Sequence, residues 1–378
     1  MSTSDAADWP LGLAWLAHVL ARDLQRAARE AGGPEALWAA RGPRMSALLR
    51  SRPDVARRAT GAREGFRAHS MRAELRRMGI THVPITSPAY PDRLRTIFDP
   101  PFGVFGTAGT VSALRLAHGA PCVAVVGSRR PTTAGRHLAR AIARDVAARG
   151  AVVISGLARG IDAAAHEGAL EAGGVTIAVL GSGVDRVHPR RHLALAERIA
   201  RDGAVVSEYW PGTDPAPWRF PARNRIVAGM ADAVVVVEAA ARSGALITAD
   251  FAMENGTPVL AVPGWPGAAM SAGCNALLRA GAGLCEGAED VVAEVRHGAW
   301  REAPVPAAAS GTDAAVRAVV AREPVGADAV AAATGLGIGE VAAALARLEI
   351  SGIIARDHGG LFRAVTAVPR AERGDARA

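Results

Sequence analysis

The sequence predicts an α/β protein built on a parallel β-sheet, and three observations support this fold class. From Pro121 onward, short β-branched runs alternate with amphipathic helical patterns. The runs are apolar along their whole length, which is typical of strands buried on both faces of a sheet. Glycine, serine or arginine follows nearly every run, as expected for loops on the ligand-binding edge of such a sheet. We therefore predict a Rossmann-like parallel sheet, flanked by a small helical N-terminal domain and a C-terminal winged helix.

The strands and helices of this sheet can be placed from their patterns. Continuous apolar runs predict strands at residues 122–126, 151–154, 175–180, 204–207, 233–237 and 258–262. Helical periodicity predicts helices near residues 134–148, 161–172, 191–202, 222–230, 244–255 and 273–281. Ligands of parallel sheets bind at the carboxyl ends of the strands, so the residues that follow each strand are the candidates for function.

A chain of 378 residues is too long for a single core, and changes in its residue pattern suggest several segments. Three short helical patterns and a hairpin near the end are typical of a winged helix. The predicted segments are a helical domain at 1–80, the sheet domain at 81–296 with a connector at 81–120, a Pro/Ala linker at 297–310, the winged helix at 311–366 and a disordered tail at 367–378. In the connector, Ile97-Phe98 and Val104-Phe105 are predicted to be anchors.

Composition limits the kinds of site this chain can hold. The net charge is +8, and all 44 basic residues are arginine. Residues 1–120 carry +7 of this excess, whereas residues 121–300 carry only +1, so an anion site in the sheet domain must be a local cluster. The three cysteines fit neither a zinc site nor a disulfide framework. The acidic start and an apolar run broken by His18 and Arg22 argue against a signal peptide or membrane span, so we expect a reduced cytoplasmic protein without a metal.

The first predicted strand leads into Gly127, Ser128 and Arg129, and then into a helix. Glycine lets the backbone approach a ligand, helix N-terminal amides favour an anion, and the arginine fork suits phosphate. The loop is neither a Gly-x-Gly-x-x-Gly nor a Walker sequence, so no dinucleotide or nucleotide cofactor is predicted. A plain turn with solvated arginines is the alternative. Ser243 and Gly244 open another helix at the same predicted edge.

Aromatic side chains are concentrated after the strand at 204–207. Only 4% of the chain is aromatic, yet Tyr209, Trp210, Trp218 and Phe220 lie within one short stretch. That stretch also holds Arg219, Arg223, Asn224 and Arg225. Single-stranded nucleic acid is held by this mixture, because bases stack on rings and phosphates pair with arginine. The alternative is a hydrophobic lid in which Arg223 and Arg225 form salt bridges.

A second hypothesis makes the same edge a hydrolase site for a nucleotide or nucleoside phosphate. Asp162 and His166 lie four residues apart at the start of a predicted helix, within reach of each other, and Glu238 follows another strand. These three residues are candidates for acid and base. In the structural alternative, Asp162 and His166 cap and brace the helix.

The motifs along this edge occur in the same order as in one protein family, and they resemble that family's motifs. They are VGSRRPTTAGR (126–136), ISGLARGIDAAAHEGAL (154–170), TIAVLGSGVDRVHP (176–189), FPARNRIVAG (220–229), VVVEAAARSGALITADFA (235–252) and SAGCNALLRAGA (271–282). Over about residues 90–295 the chain closely resembles the DprA family of DNA-processing proteins, also called Smf.

The resemblance implies an extended Rossmann-like fold. It also implies a non-enzymatic homodimer that binds single-stranded DNA, protects incoming DNA and loads a RecA-type recombinase during natural transformation. It also implies that Gly127, Ser128, Arg129, Phe220, Arg223, Asn224 and Arg225 line a basic DNA pocket. Some relatives carry a lysine shortly before the phenylalanine. Ala216-Pro217-Trp218-Arg219 stands there in this chain, so Arg219 is expected to substitute.

The flanking domains are predicted to have accessory roles. The last helical pattern of the winged helix, 337–350, carries Glu340, Arg347 and Glu349, and the module has a net charge of about −1. A protein contact or weak accessory role fits this charge better than duplex recognition. In the N-terminal domain, arginines could contact phosphate or could form a solvated helical face; they are Arg57, Arg58, Arg72, Arg76 and Arg77.

Overall fold

The computed structural model of the chain describes residues 8–20, 24–50, 53–295, 298–301, 311–350, 353–356 and 360–364. The described residues fall into two compact units, one within Met1–Ala303 and the other within Pro304–Ala378. Most of the linker predicted at 297–310 and the whole tail predicted at 367–378 lie outside the described residues. The predicted domain boundaries therefore stay predictions.

The first unit begins with short helices that share one core. Their bounds are α1 Trp9–Leu20, α2 Gln25–Ala31, α3 Pro34–Ala39, α4 Gly42–Leu49, α5 Pro53–Glu64 and α6 Ala68–Arg77. Leu11, Leu13 and Leu16 on α1 are almost completely buried. Gly32 ends α2 in the left-handed region, at a φ of 90°, which explains the break expected from the Gly-Gly-Pro sequence.

A mixed β-sheet forms the body of this unit and has nine strands among the described residues. They are β1 Thr81–Pro84, β2 Gly103–Gly106, β3 Cys122–Val126, β4 Val152–Ser155, β5 Thr176–Val179, β6 Ala204–Ser207, β7 Ala233–Val236, β8 Val259–Ala261 and β9 Gly283–Leu284. Their spatial order is β1-β2-β6-β5-β4-β3-β7-β8-β9. From β6 to β9 all neighbours are parallel, which confirms the predicted α/β fold class.

The direction of strand addition reverses at β3. Strands β4, β5 and β6 are added on one side of β3, whereas β7, β8 and β9 are added on the other side. In register, Val123 of β3 lies between Val153 of β4 and Ala233 of β7. A reversal of this kind opens a crevice at the carboxyl ends of the central strands, where ligands of open α/β sheets bind.

Helices cover both faces of the sheet. They are α7 Asp92–Thr96, α8 Thr110–Gly119, α9 Thr133–Ala148, α10 Ile161–Glu171, α11 Leu193–Asp202, α12 Arg219–Gly229, α13 Gly244–Glu254, α14 Ala272–Arg279 and α15 Ala288–Glu294, with a 3-10 turn at Arg190–His192. Alternate residues of β3 point to opposite faces. Ala124 belongs to the core formed with α8, α12, α13 and α14, whereas Val123 and Val125 belong to the core formed with α9, α10 and α15. Every side chain of a central strand is therefore buried, which explains its continuous apolar run.

The segment expected to be a connector is part of the sheet. Strand β1 pairs antiparallel with β2, and β2 pairs antiparallel with β6. Val104 and Phe105 are buried as expected, and Phe105 joins the core of the N-terminal helices. The expectation that Phe98 is an anchor is wrong, because Phe98 is 75% exposed. The guanidinium carbon of Arg29 lies over its ring, 4.3 Å from the ring centre.

The second unit has the predicted winged-helix arrangement. Helices α16 Thr312–Val320, α17 Ala327–Thr334 and α18 Ile338–Ile350 precede a hairpin of β10 Ile354–Arg356 and β11 Phe362–Ala364. Val316, Val330, Val341 and Leu345 form its core with the hairpin. The turn expected at 357–360 lies mostly outside the described residues.

Within the described ranges, no single helix is long and apolar enough to cross a membrane. Helix α17 and most of α18 reach that length and apolar composition only together, as a pair bent by 115°.

Candidate functional site

A cleft of about 410 Å³ opens at the carboxyl ends of β3, β4 and β7, where strand addition reverses. Its size falls within the usual range for pockets that take a small molecule or one unit of a polymer. Eight of the ten predicted site residues, all in the described part of the chain, line it. They are Gly127, Ser128, Arg129, Phe220, Arg223, Asn224, Ser243 and Gly244.

The loop after β3 is fixed by packing as well as by hydrogen bonds. The Ser128 amide donates to the Glu238 carbonyl at 2.7 Å, and the Ser128 hydroxyl accepts from the Arg130 amide at 3.0 Å. A Cβ on Gly127 would lie 2.7 Å from Ile161 Cγ1 and 2.9 Å from the Glu238 carbonyl oxygen, so only glycine fits. The rigid loop leaves the side chain of Arg129 exposed at the mouth of the cleft.

The N-terminus of α9 is capped within the protein. Thr132 accepts from the Gly135 amide at 2.9 Å. The Glu238 carboxylate accepts from the Thr132 amide at 2.9 Å and from its hydroxyl at 2.5 Å. These groups serve α9 itself, so the cation of Arg129 rather than these helix amides is what the loop offers an anion. Glu238, a candidate base in the hydrolase hypothesis, is engaged as a cap.

A cation and an aromatic ring meet at the mouth of the cleft. The guanidinium carbon of Arg129 lies 5.5 Å from the centre of the Phe220 ring. The centres of the His188 and Phe220 rings are 5.7 Å apart, and the two ring planes are tilted by 40°. A Cβ on Gly181 would lie 3.0 Å from Phe220 Cδ1, so this glycine lets the ring settle against the end of β5. Phe220 is half-buried and keeps part of its ring open to the cleft.

Arg223 forms part of the floor of the cleft. The residue is 3% exposed, and its Nη1 donates to the carbonyl of Gly156 at 2.7 Å and to the carbonyl of Val179. Burial lowers the pKa of Arg223 to about 10, and the nearby Asp162 carboxylate acts in the opposite direction. The cation therefore persists at neutral pH, but its donors are directed to the ends of β4 and β5.

Asn224 connects the two helices that border the cleft, and Ser243 caps one of them. Asn224 Nδ2 donates to the Gly244 carbonyl at 3.1 Å, and its Oδ1 accepts from Arg223 Nε at 3.3 Å. Ser243 caps α13 by accepting from the Ala245 amide at 3.3 Å. The Asn224 hydrogen bond holds the start of α13 against α12.

The other two predicted residues lie on the opposite face of α12. Arg219 and Arg225 line a separate cavity of about 240 Å³ between the N-terminal helices and the sheet. Arg225 donates to both carboxylate oxygens of Glu208, at 2.8 and 2.6 Å, and to the Asp99 carbonyl at 2.9 Å. This is the salt bridge that the sequence left open as an alternative. A role of Arg219 and Arg225 in DNA binding stays a prediction.

The hydrolase hypothesis finds little support in the geometry. His166 Nδ1 hydrogen-bonds to Thr176 Oγ1 at 2.7 Å, and burial, with Arg223 and His192 nearby, lowers the pKa of His166 to about 3. Asp162 instead accepts from the Ala158 amide at 3.3 Å. The two side chains brace separate parts of α10 and do not form an acid–base pair. In the ranges that the structure describes, there is also no group of three His, Cys, Asp or Glu residues that could hold a metal.

Several residues that line the cleft were not among its predicted DNA-binding residues. Gly156, Ile247, Thr248 and Met270 are examples. Gly156 directly follows β4, and this position at a strand end could have singled it out. The others lie on helical faces or in loops where residue type gives no signal.

The fold and the cleft together define a class: Rossmann-like proteins with an arginine and an aromatic ring at the switch point of the sheet. The family model for DNA recombination-mediator protein A matches residues 81–296, and the model for the DprA winged helix domain matches residues 301–360. The chain belongs to the DprA (Smf) family of DNA recombination-mediator proteins.

Curated relatives and solved structures agree with this assignment. Protein Smf of Escherichia coli is 39% identical over 74% of this chain and 76% of its own length. DNA processing protein DprA of Streptococcus pneumoniae is 43% identical over 56% of this chain and 72% of its own length. The X-ray structure of DprA from Streptococcus pneumoniae has a TM-score of 0.64 at 32% identity and covers 78% of this chain and 99% of that one. A structure of the Helicobacter pylori protein, described for its single-stranded DNA binding mode, has a TM-score of 0.51 at 28% identity and covers 57% of this chain and 94% of that one.

Proposed function

We propose that this protein binds single-stranded DNA in the cleft at the carboxyl ends of β3, β4 and β7. The observation that carries the proposal is the pairing of Arg129 with Phe220 at the mouth of the cleft, 5.5 Å apart. A phosphate can pair with the exposed guanidinium while a neighbouring base stacks on the ring, which is how single strands are held without regard to sequence. The Helicobacter pylori relative, which is described as binding single-stranded DNA, supports this proposal.

The wider role that we propose follows the family. As a recombination mediator, the protein would protect incoming single-stranded DNA and load a RecA-type recombinase onto it in the cytoplasm, acting as a homodimer. We propose that it does so without catalysis. The separate hydrogen bonds of Asp162, His166 and Glu238 support this, because each of these groups is engaged in holding the fold.

The test is binding of a single-stranded oligonucleotide at fixed, moderate salt by Arg129→Ala and Phe220→Ala variants. Losing one stacked base costs about 1–3 kcal/mol, so Phe220→Ala is expected to weaken binding by roughly fivefold to 150-fold. Arg129→Ala is expected to weaken binding and to make it less sensitive to salt.

Two matched controls separate the cleft from general charge and hydrophobicity. Arg130→Ala removes the same charge from the neighbouring exposed position, which does not line the cleft. Phe98→Ala removes an exposed ring elsewhere on the unit. Both controls are expected to bind like the wild type. Wild-type affinity in both cleft variants would show that DNA, if bound, is held elsewhere.

A further inference from the structure

The arginine–aromatic pairing of the cleft occurs a second time beside it. Trp218 immediately precedes α12, and the guanidinium carbon of Arg219 lies 4.8 Å from the Trp218 ring and 5.2 Å from the Tyr209 ring. The two rings meet edge to face at 6.4 Å. Arg219 also donates to the Asp214 carbonyl, which holds the cation against the rings. The two rings and the cation therefore form one contacting cluster at the start of the helix that carries Phe220.

The Trp218 ring of this cluster is open to solvent. Trp218 is 52% exposed, and among the aromatic residues that the structure describes only Phe98 and Trp265 are more exposed. An exposed tryptophan gives up much of the free energy that burial of an indole would supply. Arg219 covers one part of the Trp218 ring, and the rest of the exposed aromatic surface is available to another planar group.

Trp218 and Phe220 are close enough in sequence to act on one strand. They are two residues apart at the start of α12, and the backbone of Arg219 between them packs 3.3 Å from where a Cβ of Gly181 would lie, at the end of β5. Phe220 lines the cleft and Trp218 lines the neighbouring cavity, so the two rings lie on either side of the start of α12. Each has an arginine beside it.

We propose that Trp218 and Arg219 form a second nucleotide-binding position, in which Trp218 stacks on a base of single-stranded DNA and Arg219 pairs with a phosphate. This inference rests on the proposed function, since it extends the path of the strand beyond the cleft. The ligand is an unpaired nucleotide of any base, because every base has a face that can stack on a ring.

A structural role makes a different prediction. Trp218 also lines the cavity between the N-terminal helices and the sheet, where it could serve only as a lid. The two roles are separated by comparing a thymidine oligonucleotide with a strand of the same length in which every nucleotide is abasic. Stacking needs bases, whereas phosphate contacts and correct folding matter equally for both strands.

The main variant is Trp218→Leu, which keeps an apolar cover over the cavity but removes the aromatic face. It is expected to bind the thymidine strand about tenfold more weakly than the wild type. It is expected to bind the abasic strand like the wild type. Trp218→Phe restores a ring and is expected to recover most of the loss. Arg219→Gln is expected to weaken binding to both strands and to reduce the salt dependence on both, by about 0.7 in the logarithmic slope.

Two results would overturn the inference. One is wild-type affinity of Trp218→Leu for the thymidine strand, and the other is an equal loss on both strands, which is the signature of a lid. Leu116→Ala, an exposed apolar position on α8, serves as the control and should change neither affinity. Failure of the proposed function would look different, since Arg129→Ala and Phe220→Ala would then bind the thymidine strand like the wild type.

Discussion

Gly156 is restricted to glycine by a neighbouring side chain rather than by its backbone angles. A Cβ at this position would lie 2.4 Å from Arg223 Nη2 and 2.6 Å from Arg223 Cζ. The space that glycine leaves open is filled by the guanidinium, which donates to the Gly156 carbonyl at 2.7 Å. The absence of a side chain after β4 thus lets a long cation from α12 reach the ends of two strands and fix the floor of the cleft.

Gly156→Ala is expected to lower the free energy of unfolding by about 1–3 kcal/mol, the usual cost of inserting a methyl group into a packed site. The methyl group would push Arg223 away from the two carbonyls that accept from it. Urea denaturation of the variant and the wild type measures the change.

Gly244→Ala is the matched control, because a Cβ there meets nothing within 4 Å and the residue begins α13. It should be as stable as the wild type. If the two alanine variants have equal stability, the contact with Arg223 does not restrict Gly156.

Helix α12 serves two sites because its residues face two directions. Arg219, Ala222 and Arg225 recur every three residues and line the cavity beside the N-terminal helices. Phe220, Arg223 and Asn224 lie between them and line the cleft. Since successive residues of a helix are about 100° apart, arginines that are close in sequence can belong to different sites.

Arg225→Met is expected to destabilise the protein without changing the salt dependence of DNA binding. The substitution keeps an apolar stem but leaves the Glu208 carboxylate without its partner. Both side chains are largely buried, at 12% and 16% exposure, so the loss should be about 2–3 kcal/mol, near the lower end of values for buried pairs.

Adding Glu208→Gln to Arg225→Met should recover part of this stability, because the orphan charge is then removed as well. Arg144→Met, which breaks an exposed contact with Asp145, serves as the control and should leave stability unchanged. An Arg225→Met protein with wild-type stability and a shallower salt dependence would instead place Arg225 on the DNA.

The helices and strands that could be predicted from the sequence are those whose own residues form a recognisable pattern. Buried strands such as β3 and β6 were placed at their observed bounds, because both faces are apolar and the run stands out. Strand β2 was missed because glycine occupies both of its ends, and β9 because it has two residues. These strands are defined by pairing with distant partners, as in Thr81 opposite Gly106, which no local pattern reveals.

The site was predictable to a similar extent. Residue type and position after a strand singled out Arg129 and Phe220, and the structure brings them together. The direction of Arg223 and Arg225 was not predictable, because the groups that hold each guanidinium come from distant segments of the chain. Arg223 donates to the carbonyls of Gly156 and Val179, whereas Arg225 donates to the Glu208 carboxylate.

At the scale of the whole molecule, most of the excess positive charge lies away from the cleft. Residues 1–120 carry +7 of the net +8. Arg76 and Arg77 are exposed at the end of α6, which leads into the edge strand β1. Five strand spacings separate β1 from β3, a distance of roughly 24 Å. A short oligonucleotide in the cleft cannot reach these arginines, whereas a long strand can cross the sheet edge to them.

The salt dependence of binding should therefore depend on strand length. With the shortest oligonucleotide that the wild type binds, Arg129→Ala should reduce the slope of log affinity against log salt by about 0.7, the value for one phosphate contact on a single strand. The double variant Arg76→Ala, Arg77→Ala should leave that slope unchanged.

On a long strand, a shallower slope in the double variant would identify auxiliary phosphate contacts, and an unchanged slope would identify a solvated helical face. A reduced slope of the double variant on the short oligonucleotide would contradict the view that the cleft acts as a local site, because the N-terminal charge would then act through the overall field of the protein.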